Sequence, residues 1–205
     1  MTKLVLATRN VHKVGELRRI LAEAGLASVE LVGVEAFPGV EDVVETGVTF
    51  VENARLKALA VARATGVPAI ADDSGLCVDV LGGAPGVFSA RWSGRHGDDL
   101  ANLRLLLDQL GDVPEVHRGA HFACAAVLAL PDGVERVAEG RMVGRLVREP
   151  RGSQGFGYDP IFVPDGDTRT TAEMSPAEKD AISHRGRAFR AIVPAVRELL
   201  VLTER

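Results

Sequence analysis

The sequence predicts an α/β fold: a mixed, elongated β-sheet flanked by helices, in two lobes with a central cleft. Three observations carry this. Short apolar runs alternate with 3.6-residue apolar stripes through the first half of the chain, the pattern of strands feeding helices. Two long strand-like runs follow later, joined by a turn signal. No internal repeat, low-complexity tract or linker interrupts the 205 residues, so 1–205 reads as a single domain.

Residues 3–8 (KLVLAT) read as a buried strand, followed by the polar loop Arg9-Asn10-Val11-His12. Leu17, Ile20, Leu21 and Ala24 then form one helical stripe, closed by Gly25. Residues 29–34 read as a second strand. Pro38 and Gly39 break the chain, and an acidic loop from Glu41 to Glu45 precedes Thr46-Gly47. Thr49 and Glu52 make a capping box, so a helix starts there and ends near Gly66. Residues 69–71 form a short strand that delivers Asp72-Asp73-Ser74-Gly75 at its end, and 76–81 form another strand. After a loop at 82–86, Asp98 or Asp99 opens a helix with Leu103, Leu106, Leu107 and Leu110 on one face. Residues 120–130 and 134–147 pair through Pro131-Asp132-Gly133 as a hairpin. Residues 152–159 (GSQGFGYD) are glycine-rich loop. Ser175 and Glu178 make a second capping box, with Pro176 at the first helical position. A last helix carries Phe189, Ile192, Val193, Val196, Leu199 and Leu200, and Pro194 inside it predicts a kink.

Composition narrows the function classes. Hydrophobic residues are 46% and charged residues 25%, enough for a real core. The net charge of −4 argues against a nucleic-acid partner, which needs a basic face to neutralise phosphates. Cys77 and Cys124 each sit in an apolar run and read as buried free thiols, without any CxxC or Cys/His metal spacing. The longest apolar stretch, Phe122 to Leu130, is too short to span a bilayer, and the N-terminus runs directly into a strand. A cytoplasmic location is expected, with no membrane partner. Among the basic residues there are 20 Arg and 4 Lys, at positions 3, 13, 57 and 179. A base-composition bias explains that ratio. A lysine retained against it marks a position where a compact ammonium serves better than a planar fork.

Several segments could carry chemistry. Thr8-Arg9-Asn10-Val11-His12-Lys13 lies between a strand and a helix, where backbone N–H groups attract anions and Lys13 adds a full charge. It is not a Walker A loop, and by itself reads as readily as a polar turn. Adjacent Asp72 and Asp73 at a strand end suit Mg²⁺, which takes one or two carboxylates plus waters and substrate phosphates. A capping turn is the competing reading, and a second acidic loop around Glu45 tips the balance. Lys57 sits one turn after Asn53, on the helix that follows that loop. Phe156, Gly157, Tyr158 and Asp159 combine aromatic faces, which stack on bases, with glycines that admit close backbone approach. The same stretch reads equally as a loop with a core Phe. His184 and Arg185 are donors suited to a carbonyl or phosphate oxygen, and Ser183 is placed to cap the last helix.

Together these segments resemble the inosine triphosphate pyrophosphatase family, also called dITP/XTP pyrophosphatases. The resemblance runs nearly end to end: TxNxxK at Thr8, Asn10 and Lys13; ETGxTFxENAxxKA from Glu45 to Ala58; PAIADDSGLxVDxLxGAPGVxSAR from Pro68 to Arg91; GFGYDPIF from Gly155 to Phe162; and AEMSPxEKxxISHRGxA from Ala172 to Ala188. Each motif is modestly specific, and five in order are highly specific. The resemblance implies Mg²⁺-dependent hydrolysis of ITP, dITP and XTP to the monophosphate and pyrophosphate, by a homodimer. It implies that Thr8, Asn10 and Lys13, with Arg9, Val11 and His12 around them, hold phosphates, with Lys57 nearby. Glu45 and Asp73 become metal ligands, and Asp73 the catalytic carboxylate. Ser74, Phe156, Gly157, Tyr158, Asp159, Lys179, His184 and Arg185 become substrate-binding residues around the base. Arg9 and Trp92 depart from the residues usual in the family, which puts fine specificity in doubt rather than activity. A pyrophosphatase for modified pyrimidines and a non-catalytic nucleotide-binding module are the rival readings. The Ser183-His184-Arg185 segment argues against the first, and the carboxylates at 45, 72 and 73 against the second.

Overall fold

The computed structural model describes residues 2–201, without the side chains of Val11, His12 and Val201. Its six strands form one mixed sheet in the order β2-β1-β3-β4-β5-β6. They are β1 (Thr2–Leu6), β2 (Val29–Gly33), β3 (Ala69–Val78), β4 (Gly119–Ala129), β5 (Glu135–Leu146) and β6 (Phe162–Pro164). The helices are α1 (Val11–Glu23), α2 (Phe50–Thr65), α3 (Asp99–Gln109), α4 (Pro176–Ile182) and α5 (His184–Val196). β1 pairs in parallel with both β2 and β3, and β5 pairs antiparallel with β6, so the sheet is mixed as expected. Helices separate the parallel strands because a parallel pairing needs a crossover connection.

The chain divides into two compact units: residues 1–73, 124–140 and 185–205, and residues 74–123 and 141–184. The first unit buries both faces of its strands. Leu4, Leu6, Leu31, Ile70, Ala126 and Leu128 pack against Leu17, Ile20 and Leu21 of α1 and Phe189, Ile192 and Val196 of α5. The alternate residues Val5, Ala69, Ala71, Ala125, Val127 and Ala129 pack against Ala54, Ala58, Val61 and Ala62 of α2. Strand side chains alternate between faces, and this is that alternation realised. The second unit packs Leu103, Leu106 and Leu110 of α3 on Leu76, Phe122, Met142, Leu146 and Phe162. Arg118 is fully buried there, and its guanidinium donates to the carbonyls of Leu110, Leu146 and Val147, so the buried cation has hydrogen-bond partners.

Local signals set the element ends. Thr49 accepts from the Glu52 N–H and Glu52 reaches back to the Thr49 N–H, completing the capping box of α2. Such a cap contributes about 0.5–2 kcal/mol. Ser175 and Glu178 do the same for α4. The hairpin turn is where Pro131-Asp132-Gly133 put it, with the Leu130 N–H donating to the Val134 carbonyl. Both cysteines are buried and free.

Two expectations need correction. The strand does not end before Asp72-Asp73-Ser74-Gly75: β3 runs straight through these residues, and residues 79–81, expected as strand, are a 3-10 turn. Pairing with flanking strands supplies backbone partners that overrule the turn preference of the sequence. The C-terminal helical region is two helices meeting at Ser183, in line with the capping box at Ser175 and the cap signal at Ser183, and His184 and Arg185 lie in the first turn of α5. α5 continues past Pro194 and passes into a π-helical turn over Arg197–Val201.

Candidate active site

Because β3 is continuous, its neighbouring acids Asp72 and Asp73 lie on opposite faces of the strand. Asp72 shares the face of Ile70, toward α1 and α5; Asp73 shares the face of Ala69 and Ala71, toward α2. The contacts agree. Lys13 of α1 donates to both Asp72 oxygens, at 3.0 and 2.9 Å, and Arg185 Nε of α5 donates to Oδ2 at 3.0 Å. Asn53 Nδ2 of α2 donates to Asp73 Oδ2 at 3.1 Å, and Lys57 Nζ of α2 lies 3.7 Å from Asp73 Oδ1.

The two acids therefore have opposite electrostatics. Burial would raise the Asp72 carboxyl, but Lys13 and Arg185 outweigh it and hold it well below the usual carboxylate range. Burial raises the Asp73 carboxyl and the nearby Glu45 charge adds to it, so it stands above its ordinary value despite Lys57 and Asn53. Glu45 comes from the acidic loop and accepts from Lys57 Nζ at 2.6 Å. Burial would lower the Lys57 ammonium, yet Asp73 and Glu45 raise it on balance.

At the start of α1, Thr8 Oγ1 accepts from the Asn10 N–H at 3.2 Å and Asn10 Oδ1 accepts from the Lys13 N–H at 3.4 Å. Thr8 and Asn10 thus shape the helix N-terminus, in addition to any contact with a ligand. Arg9 is exposed and pairs with Asp42 of the acidic loop at 3.1 Å. Val11 and His12 open α1, and their side chains lie outside the described residues.

In the second unit, Asp159 is buried and accepts from three groups: the Phe156 N–H at 2.8 Å, Thr171 Oγ1 at 2.9 Å, and the Lys179 ammonium. This makes Asp159 the organiser of the loop that carries Phe156. Phe156 is 61% exposed, with the Lys179 ammonium 5.0 Å from its ring centroid. Gly157 has φ of 60°, a conformation that favours glycine, and its N–H donates to Asp99 Oδ2 at 2.9 Å. Tyr158 is buried, donates to the Ser89 carbonyl at 2.9 Å, and has its phenol pushed up by burial. His184 is buried and stacks on Phe122, with centroids 4.9 Å apart. Ser74 is half-buried on β3.

Three of the four lysines retained against the arginine bias pair with an acid of the expected site: Lys13 with Asp72, Lys57 with Glu45, and Lys179 with Asp159. Thr171 and Asp99 lie outside the five motifs, whereas Asn53 lies inside the Glu45–Ala58 motif without a role having been read for it. For Asn53 the available signal is its spacing of one turn from Lys57, which puts both on one helix face.

A profile of the Ham1 family matches residues 4–195. A protein of Streptomyces avermitilis named dITP/XTP pyrophosphatase is 70% identical over 200 residues, covering 98% of this chain and 100% of that one. A solved HAM1 protein from Coxiella burnetii superposes with a TM-score of 0.89 at 40% identity, covering 97% and 100% of the two chains. A solved nucleoside-triphosphatase, also titled dITP/XTP pyrophosphatase, from Mycobacterium abscessus has a TM-score of 0.80 at 54% identity, covering 96% and 100%.

Proposed function

The chain belongs to the Ham1 family, and from that premise we infer that it hydrolyses the deaminated purine nucleotides ITP, dITP and XTP to monophosphate and pyrophosphate. The observation that carries the chemistry is the convergence of Glu45 and Asp73 on one ammonium, at 2.6 and 3.7 Å from Lys57 Nζ. Two carboxylates so placed fit a hard divalent cation that completes its shell with water and substrate phosphates, so Mg²⁺ is the proposed cofactor. When bound, Mg²⁺ neutralises phosphate charge and lowers the pKa of coordinated water.

The protein's own groups then divide the work. Asp73 receives the proton of the attacking water, a role suited to a carboxyl raised above its ordinary value. The water oxygen bonds to the α-phosphorus as the bond from that phosphorus to the bridging oxygen breaks, and pyrophosphate departs. Lys57 offsets the crowded carboxylates, and Lys13, with the N-terminus of α1, binds phosphate oxygens. The exposed Phe156 ring stacks on the base. His184 and Arg185 are the donors proposed for the O6 acceptor of a 6-oxo purine, where adenine presents a donor instead. Ser74, Gly157, Tyr158, Asp159 and Lys179 complete the proposed substrate contacts or hold them in place. The reading includes a homodimer, supported by the family resemblance, and a cytoplasmic location, as the sequence leads one to expect. No helix among the described residues is long and apolar enough to cross a membrane.

Malachite-green detection of phosphate from ITP tests this directly. Signal is expected when both Mg²⁺ and added inorganic pyrophosphatase are present. Phosphate released without the coupling enzyme, or equal efficiency on ATP and ITP, would overturn the assignment.

A further inference from the structure

We propose that Asn53 is a positioning residue that ties the two metal-binding carboxylates into one geometry. The proposal rests on the pyrophosphatase reading above. Asn53 is completely buried on α2, and both ends of its amide are engaged. Nδ2 donates to Asp73 Oδ2 at 3.1 Å, while Oδ1 accepts from the Gly47 N–H at 2.8 Å. Gly47 lies two residues after Glu45, so one planar amide bonds to the Asp73 carboxylate and to the strap that carries Glu45. Lys57, one turn further along the same helix, pairs with both acids at 2.6 and 3.7 Å. α2 therefore presents an amide that orients and an ammonium that neutralises, on one face.

The amide geometry makes the link directional. An amide offers a donor and an acceptor about one bond angle apart, so orienting one end toward Asp73 sets where the Gly47 N–H must lie. Gly47 is part of the same device. A Cβ there would stand 2.6 Å from Glu52 Cβ and 2.7 Å from Asn53 Oδ1, so the loop approaches the amide this closely because residue 47 lacks a side chain. Removing the tie leaves Asp73 and Glu45 in place but free to splay.

Two variants test this. Asn53→Ala deletes the tie from the helix; Gly47→Ala pushes on it from the loop, leaves the core intact, and decides the matter if Asn53→Ala does not fold. Three quantities are read: kcat and KM for ITP, the thermal midpoint, and Mn²⁺ affinity by electron paramagnetic resonance with α,β-methylene-ITP present. Loss of a group that orients a metal ligand costs about 10- to 100-fold in metal affinity or activity. Both variants should lose about that much in kcat and in Mn²⁺ affinity, with KM for ITP nearly unchanged. Folded variants that keep kcat and Mn²⁺ affinity within about twofold, or that change KM alone, would overturn the positioning role. Wild-type protein that shows no cation-dependent ITP hydrolysis would instead overturn the function assignment.

Discussion

Lys13 donates to both carboxylate oxygens of Asp72, at 3.0 and 2.9 Å, and the lysine side chain retains 21% exposure while the aspartate is sealed. The lysine is thus anchored at its ammonium and still open to an incoming anion. Lys13→Ala is expected to raise KM for ITP, since a charge-assisted bond is worth about 1.5–3 kcal/mol. It should also lower stability, because Asp72 loses a partner. Double-mutant cycles with Asp72→Asn should give a coupling above about 0.5 kcal/mol in urea unfolding. Additive effects would mean that the pair contributes nothing to the fold.

Asp72→Asn should be strongly destabilising near neutral pH, by about 3–5 kcal/mol, because it leaves Lys13 and Arg185 without their buried counter-charge. The folded carboxyl lies below its unfolded value, so its contribution is present above the unfolded pKa and is lost as pH falls through the folded one. The difference between wild type and variant should therefore be constant above about pH 4 and shrink below it. A difference that stays constant to low pH in denaturant melts would contradict the linkage.

Asp73→Asn should behave in the opposite way. Its ionised carboxyl is disfavoured by burial and by Glu45, so neutralising it costs little stability and can raise the thermal midpoint of the metal-free protein. Turnover should fall by about 10²–10⁴-fold, the scale of a lost proton acceptor. A folded variant with wild-type turnover would remove Asp73 from the chemistry.

Phe156→Ala should leave the thermal midpoint unchanged, since the ring is mostly in solvent. Binding of ITP should weaken by about 1–3 kcal/mol, the value of one base stacked on an aromatic ring. Asp159→Ala should weaken binding too, but with a loss of stability, because it releases Lys179, Thr171 and the Phe156 backbone together. Calorimetry on both variants separates the exposed ring from its buried support.

Light scattering at micromolar concentration should return the mass of a dimer. A monomeric mass with full activity would refute the proposed assembly.

Much of this molecule is written locally. The capping boxes at Thr49 and Ser175, the hairpin at Pro131-Asp132-Gly133 and the apolar stripes of α1 and α3 are short-range signals, because each depends on groups within a few residues of one another. The chemistry-bearing residues were legible as types and motifs for the same reason. The short strand β6 was not: a three-residue strand lacks periodicity of its own, and forms because β5 offers it a partner.

The acids of β3 show where local reading stops. By itself the sequence determined that Asp72 and Asp73 are adjacent carboxylates beside an apolar strand, and that lysines are retained at 13, 57 and 179. Only the tertiary structure decided that the strand continues through both acids, that alternation sends them to opposite faces, and that one meets Lys13 and Arg185 while the other meets Lys57 and Asn53. Those partners are distant in sequence, and burial together with their charges, not residue type, drives one carboxyl down and the other up.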